Sequence, residues 1–395
     1  MREWLLGLML LLLCVPRPAQ AQPDDISTWV ALPPETLRGW RVEATAQRIL
    51  ITPEQPPTPQ LQVREVLVLL TVAQSSLNWI LEGMLPVLRN QHLRVGLTLY
   101  KLGTGREEQE RMLALADSGQ FDLIVAMGSD ATRFLYNRFG NQPTPVVALC
   151  KSPELWLGFE EGASQQAKPD NMAFVSLSLS PDVQLHYLQE LLGPLKALTV
   201  VYDRRNQSTV EVEAEAMRRL SARDGFQLLE LAVEGKRGAE ETLSEQLPRM
   251  ARAMRQIDPD GRHSLFWVTT SSAVYDELER IDRYSEGIPV LGSVREAVRE
   301  GNSSAVMSIG VPFKSAGQLS ARYMLEVLGS RLPASRLPMG VISPPDLAIH
   351  LRRARQLDIK LPFHFLEQAS SLYDLDGRLV RQDGQPAVSA PTASP

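Results

Sequence analysis

Between residues 64 and 149, short apolar runs alternate with amphipathic segments. Residues 66–72, 94–99, 123–127 and 146–149 read as strands, and 74–90, 107–117 and 131–137 carry apolar positions at helical spacing. Near-continuous apolar runs separated by longer helical segments predict a parallel sheet covered on both faces. The rhythm breaks in the polar, small-residue segment 151–171. It then resumes with strands at 173–177, 197–202, 227–232, 265–268, 289–291 and 305–309, and helices at 181–192, 209–222, 241–257, 273–282, 294–300 and 314–328. A strand at 346–350 and helices at 352–357 and 361–369 follow. The pattern predicts an α/β chain of two lobes, 63–170 and 171–310, with 311–370 crossing back to complete both. Two lobes of like construction imply a cleft that closes about a hinge, with hinge candidates at 151–171, 309–313 and 340–346.

The two ends follow other rules. Residues 22–62 are rich in proline and predict an extended spacer, with Trp29, Trp40 and 42–51 packing on the main body. Residues 371–395 finish in GQPAVSAPTASP and predict a disordered tail. Arg2, the apolar run 4–15 and Ala19-Gln20-Ala21 have the layout of a secretory signal peptide over 1–21. The run is shorter than the roughly 20 apolar residues a membrane span requires. A lipoprotein would need a small residue before its acylated cysteine, whereas Cys14 follows Leu11, Leu12 and Leu13. The mature chain is therefore expected outside the inner membrane, without inserting into it. Cleavage leaves Cys150 as the lone cysteine, so no internal disulfide is expected; it reads as a buried strand end or as a reactive thiol. The net charge of −5 comes from 41 Lys and Arg against 46 Asp and Glu, mixed along the chain, with no basic block of the kind that binds nucleic acid.

Ligands of open parallel sheets sit on the loops that leave the carboxyl ends of strands. Here those loops are Gln74-Ser75-Ser76, Gly128-Ser129-Asp130, Thr269-Thr270-Ser271-Ser272 and Gly292-Ser293-Val294. Each opens a predicted helix, whose first N–H groups and positive dipole end suit a carboxylate. Serine also caps helices when nothing binds, so Ser75, Ser129, Ser271 and Ser293 carry both readings, with Gln74 and Thr270 beside them. Asp130 suits a ligand amine or the helix dipole; Arg204 or Arg205 suits a carboxylate or solvent. Tyr202 and Phe313 are candidates for an aromatic wall or for the core.

Motifs of catalysis are missing: the sequence has no His-Glu-x-x-His, no Gly-x-Ser-x-Gly and no Walker loop. His92, His186, His263, His350 and His364 are scattered without metal-ligand spacing. Gly103-Thr104-Gly105 lacks the third glycine of a dinucleotide fingerprint, and Asp374-Leu375-Asp376-Gly377 begins like a calcium loop but lacks the rest. No catalytic residue, metal or cofactor is expected.

Three runs carry a family likeness: VLGSVREAVREGNSSAVMSIGVPFKSAGQLSARYMLEVLGS, DLAIHLRRARQLDIKLP and PFHFLEQAS. They resemble the solute-binding proteins of the ABC transporter family described as uncharacterised periplasmic components, some of which bind aromatic amino acids. Upstream, 122–130 is similar to the family's Asp-Leu-Ile-Val-Ala-x-Gly strand, and Tyr202-Asp203-Arg204 stands at its Tyr-Asn-Pro loop, so the likeness covers about residues 64–370. It implies a type I periplasmic-binding-protein fold, with two lobes of parallel sheet flanked by helices, three crossovers and a hinged cleft. It also implies no catalysis, a periplasmic location and a small-molecule ligand handed to an ABC permease in the inner membrane. Three departures each remove a polar group from the expected cleft. Val294 stands where an acid is common, Phe313 follows Pro312 where a tyrosine follows Gly-Val, and Asn171-Met172-Ala173-Phe174 replaces Asn-x-Thr-Gly. These replacements and the N-terminal spacer motivate an alternative of the same fold, a non-transport ligand sensor or interaction module acting on a membrane partner.

Overall fold

The computed structural model describes residues 26–54, 63–71, 75–89, 93–153, 169–330 and 332–387. The expected signal peptide, Gln74 and most of 151–171 lie outside them. After a 3-10 turn at Ile26–Thr28 the first strands form a hairpin, β1 (Trp40–Ala44) and β2 (Arg48–Pro53), whose Trp40, Ile49 and Ile51 are buried. It adds antiparallel to β4 (Arg94–Lys101) of a sheet that continues through β3 (Val63–Leu70), β5 (Leu123–Met127), β6 (Val146–Cys150) and β7 (Met172–Ser176), all parallel. The expected packing of Trp29, Trp40 and 42–51 on the main body is seen, and residues 40–53 go further than a spacer by joining the first lobe's sheet; 22–25 and 55–62 lie outside the described residues. Alternating apolar positions that cover a sheet edge outweigh the prolines on either side.

One correction concerns β7. All five of its residues are buried, and it pairs with β6 in the first sheet. The second lobe therefore begins after Ser176 rather than at 171, and the first crossover falls at 177–180 rather than within 151–171. A strand buried on both faces looks the same whichever sheet receives it.

The second sheet holds β8 (Ala197–Asp203), β9 (Gln227–Val233), β10 (Ser264–Val268), β11 (Val290–Gly292) and β12 (Met307–Gly310), parallel in the order 9-8-10-11-12. Next to β12 runs β13 (Asp346–His350), antiparallel, followed by β14 (Ala369–Tyr373), β15 (Leu379–Gln382) and β16 (Gln385–Pro386). The expected disordered tail is accordingly corrected for residues 371–387, which extend this sheet; 388–395 lie outside the described residues. The strands are short and only partly buried, so composition masked them.

Helices flank both sheets: α1 (Ser75–Arg89), α2 (Arg106–Ala116) and α3 (Ser129–Phe139) in the first lobe, then α4 (Pro181–Leu192) in the second. Next, α5 runs in three pieces, Gln207–Thr209, the π-helical Val210–Ala214 and Glu215–Asp224. Then come α6 (Ala239–Ile257), α7 (Ser272–Tyr275) and α8 (Leu278–Tyr284). The expected helix 294–300 is only a 3-10 turn, Arg295–Ala297, where Ala297 and Val298 bond back to Val294 and Arg295. Val294, Ala297 and Val298 pack into a core of the second lobe with Val290 and Ala305.

After β12 the chain returns to the first lobe as α9 (Phe313–Ser330), whose Ala316, Ala321, Met324 and Val327 share a core with Ile80, Leu81, Met84 and Leu85 of α1. It crosses once more beyond Gly340, whose N–H donates to Phe174 O at 2.8 Å and whose carbonyl accepts from Ser176 N–H at 2.7 Å. Short helices α10 (Leu351–Gln356) and α11 (Phe363–Gln368) complete the second lobe. The contact between α1 and α9 is backbone against backbone. A Cβ on Gly83 would lie 1.9 Å from Lys314 O, and one on Gly317 2.0 Å from Ile80 O.

Gly317→Ala should therefore cost about 1–3 kcal/mol in urea unfolding, because main-chain atoms cannot step aside. At Gly329, where an added Cβ meets nothing within 4 Å, alanine should be neutral or stabilise by up to about 1 kcal/mol. Equal effects at the two sites would overturn the close-approach argument. A pH effect is expected at buried His350, whose Nε2–H donates to Gly301 O at 3.1 Å and whose Nδ1 accepts from Arg353 N–H at 3.4 Å. Burial, with Arg353 and Arg352 adding to it, holds this imidazole below the usual histidine range. The unfolded chain then binds a proton that the folded chain refuses, so stability is complete above about pH 6.5 and falls as the pH drops below it. Thermal melts between about pH 8 and 5 should show a steeper fall for the native chain than for His350→Gln.

Candidate functional site

In each sheet the strand order reverses at one point, between β3 and β5 in the first lobe and between β8 and β10 in the second. Loops from both points line one cleft: Leu70, Thr71, Met127, Gly128 and Ser129 on one side, Arg205, Asn206, Gln207 and Thr270 on the other. The cavity between them is about 430 Å³, within the usual range for small-molecule sites.

Apolar lining comes from Leu77 and Ile80 of α1 and from Phe313 in the first lobe, from Leu177 at the crossover and from Val294 of the second lobe. Phe313 opens α9 directly after Pro312, and its ring stacks on Trp79 with centroids 6.0 Å apart and planes inclined by 25°. The polar side comes from helix starts. Gly128, at φ 103°, turns β5 into α3 through a conformation that favours glycine, and Ser129 and Asp130 follow at the rim. Asn206 lies opposite and starts α5, its Oδ1 accepting from Thr209 N–H at 3.2 Å and from Ser208 Oγ–H at 3.0 Å. Tyr275 lines the cleft as a neutral phenol, pushed up to about 12 by burial and by Glu296 and Asp276.

A buried ion pair crosses the cleft. Lys151, directly after β6, donates to Glu213 Oε1 at 3.1 Å and reaches Thr209 Oγ1 at 3.5 Å, and its Nζ also contacts Thr270 Oγ1. Glu213 lies in the π-helical piece of α5, where Glu215 N–H bonds to Val210 O five residues back. Its carboxylate, 7% exposed, also accepts from Thr270 N–H at 3.1 Å, from Ser293 Oγ–H at 2.8 Å and from Thr270 Oγ1. The second lobe thus solvates Glu213 with its own donors, and Lys151 arrives from the first lobe. Arg133 and Glu211 make a second bridge between the lobes at 3.0 Å.

Of the residues singled out in the sequence, Ser129, Asp130, Thr270 and Phe313 line the cavity, and Ser75 begins α1, whose next residue Ser76 also lines it. Ser293 is buried and bonded to Glu213. Three others stand outside the cavity lining. Tyr202 is buried in the second core with its hydroxyl on Glu230 at 3.0 Å. Arg204 is exposed and pairs with Glu234 at 3.3 Å, while its neighbour Arg205 lines the cleft. Ser271 is buried, 3.5 Å from Asp203 Oδ2. In β8 and the turns around it, successive side chains alternate in direction, so a loop identified correctly still sends half its residues elsewhere.

Lys151 and Glu213 escaped sequence reasoning. Lys151 carried a usable signal, a charge at the carboxyl end of an all-apolar strand. Glu213 carried none, being one of several acids in Val210–Ala214 and the helix that follows.

The donors around Glu213 predict an asymmetry. Glu213→Ala strips Lys151, Thr270 and Ser293 of a common acceptor and should cost about 3 kcal/mol in urea unfolding. Lys151→Met leaves Glu213 with its second-lobe donors and should cost about 1 kcal/mol. The opposite ranking would show that Lys151, not the second lobe, holds the carboxylate.

Comparison with known proteins agrees with this architecture. Residues 65–372 match the family model for the ABC transporter substrate binding protein. A search of curated proteins gave no match. Among solved structures, a conserved domain protein from Vibrio cholerae is 19% identical, with 79% of this chain and 100% of that one covered and a TM-score of 0.59. A Streptococcus pneumoniae ABC domain in complex with L-Trp is 18% identical, with 79% and 100% covered and a TM-score of 0.59. A periplasmic ribose ABC transporter structure from Conexibacter woesei is 14% identical, with 77% and 97% covered and a TM-score of 0.50. At such identities the likeness is one of fold, the type I periplasmic-binding-protein fold. With the family model matching more than three quarters of its length, this chain belongs to the ABC transporter substrate-binding proteins.

Proposed function

We propose that the chain captures a small polar solute in its interlobe cleft, on the periplasmic side, and presents it to the permease of an ABC importer. The observation that carries this reading is the convergence of both switch-point loop sets on one cavity of about 430 Å³. An aromatic and aliphatic wall faces two helix starts there, which suits a solute with an apolar body and polar groups at one end. Asp130 and Glu296 on one hand, Lys151 and Arg205 on the other, supply both signs of charge along the lining. The signal-peptide layout of residues 1–21 supports the periplasmic placement, and no described helix is long and apolar enough to cross a membrane. The reading includes no catalytic step: the family is one of substrate-binding proteins, and the polar side chains of the cleft floor are bonded to one another.

One observation favours the alternative of a ligand sensor or interaction module. Thr270 and Ser293, which the sequence offered as ligand contacts, spend their hydroxyls on Glu213. A cleft with its own counter-charges has less need of a charged solute.

A thermal-shift panel of amino acids, nucleosides and small acids tests the solute-binding cleft on which the proposal rests. A true ligand at about 100 times its Kd should add roughly 2.7 kcal/mol of stability. Asn206→Ala and Phe313→Ala should each weaken that compound about tenfold, or 1.4 kcal/mol. A panel in which nothing raises Tm, or a binder indifferent to both substitutions, would remove the cleft from consideration.

A further inference from the structure

The last strands, β15 and β16, lie beyond the part of the chain that matches the family, which ends at residue 372. Their connecting turn carries Asp383, and its carboxylate is shared between the lobes. Oδ1 accepts from Arg295 Nη1 at 2.6 Å, and Oδ2 accepts from Lys314 Nζ at 2.8 Å. Lys314 belongs to α9 of the first lobe and also pairs with Glu82 of α1 at 2.8 Å. Arg295 belongs to the second lobe, where its Nε and Nη2 hold Asp346 Oδ2 at 3.1 and 2.9 Å. The same guanidinium lies over the Trp79 ring of the first lobe, 5.5 Å from its centroid.

Both ends of this network touch the cleft. Arg295 sits between Val294 and Glu296, which line the cavity, and its own side chain turns the other way. Trp79 backs Phe313, another lining residue, and Lys314 is the next residue of α9. We propose that the C-terminal hairpin is a positioning element of the ligand cleft. Through Asp383 it ties Arg295 to Lys314, and so holds the Val294–Glu296 turn of one lobe in register with the Trp79–Phe313 wall of the other.

The chemistry suits a tie of this kind. Arg295 and Lys314 are part-buried side chains of like charge, and Asp383 is the anion between them. Burial pushes the Asp383 carboxyl up, but hydrogen bonds from Lys314 and Arg295 more than reverse this and hold it below the usual carboxylate range. Removing that charge leaves two cations facing one another across the lobes; among the described residues Arg295 then keeps Asp346 and Lys314 keeps Glu82 as carboxylate partner. Each of those partners belongs to the cation's own lobe, so the lobes lose their shared anion while each keeps its internal pair.

The inference rests on the interlobe cleft being the binding site, and its test is chosen to be readable without a ligand. Hydrogen exchange and small-angle scattering are measured on the full chain, on Asp383→Asn and on Asp383→Glu, with Tm alongside. Asp383→Asn should speed exchange both in the second-lobe turn around Arg295 and at the first-lobe start of α9, and should enlarge the radius of gyration. Asp383→Glu should restore both toward the native values. Faster exchange confined to residues 379–386 and the Arg295 turn, with α9 and the scattering unchanged, would reduce the hairpin to a local brace and overturn the proposal. So would a Tm loss that accounts for faster exchange everywhere. L-tryptophan titration of the same three chains tests the cleft separately. If the native chain binds it, Asp383→Asn should bind more weakly, and equal affinity would overturn the positioning role. If none of the chains binds any compound of the thermal-shift panel, the cleft reading fails, while exchange and scattering still decide the tie between the lobes.

Discussion

The contact that the rest of the molecule depends on is the glycine-mediated meeting of α1 and α9. Gly83 and Gly317 let two helix backbones touch where any side chain would collide with a carbonyl oxygen. Because α9 follows β12 of the second sheet, this contact pulls the chain back across the cleft after the second lobe is nearly complete. The chain must then cross again to place β13. Three crossings, rather than one, follow from burying Ala316, Ala321, Met324 and Val327 in the first core. A single linker would let the lobes drift; three connections side by side confine them to a hinge.

That confinement brings two opposed sets of loops within reach of side-chain chemistry. Within the cleft the ion pair of Lys151 with Glu213 is lopsided in its support. Glu213 draws two kinds of donor from its own lobe, the Thr270 main chain and the hydroxyls of Thr270 and Ser293. Lys151 Nζ reaches Glu213, Thr209 and Thr270 across the gap. A carboxylate already satisfied at home can lose its partner when the lobes part without being stranded in a dry interior. A lysine released into the open cleft returns to water. An ion pair placed this way favours closure without making opening prohibitive, which a fully buried pair satisfied only by its partner would do.

The lobes were legible in the sequence because every central strand is apolar on both faces, and a run such as Leu123–Met127 has no other stable home. The carboxyl ends of such strands can be located without knowing the sheet order, and Ser129, Asp130 and Thr270, found by that rule, line the interlobe cavity. What stayed hidden depended on pairing. Met172–Ser176 is buried whichever sheet it joins, so its lobe could not be read. Leu379–Gln382 is half exposed and short, so by composition alone it reads as a tail. The partnership of Lys151 with Glu213 spans 62 residues and passes through a π-helical turn that shifts Glu213 off the regular helical face. Tyr202, which the sequence left between an aromatic wall and the core, packs in a core of the second lobe.

The departures from the family pattern take on a different meaning once the packing is known. Val294 and Phe313 are not simply polar positions lost. Phe313 is one half of a stack with Trp79, and Val294 precedes the arginine that sits over that same indole from the other lobe. An acid at 294 would place a second carboxylate next to Glu296 at the rim, close to a guanidinium that Asp346 and Asp383 already hold. A phenol at 313 would bring its hydroxyl to a wall made of Leu77, Ile80 and Leu177, where a partner would have to come from the solute. On the proposed function, the apolar residues at these two positions would shift recognition away from polar contacts at 294 and 313. A solute's charge and hydrogen-bond requirements would then fall on polar groups of the lining such as Ser129, Asp130 and Asn206.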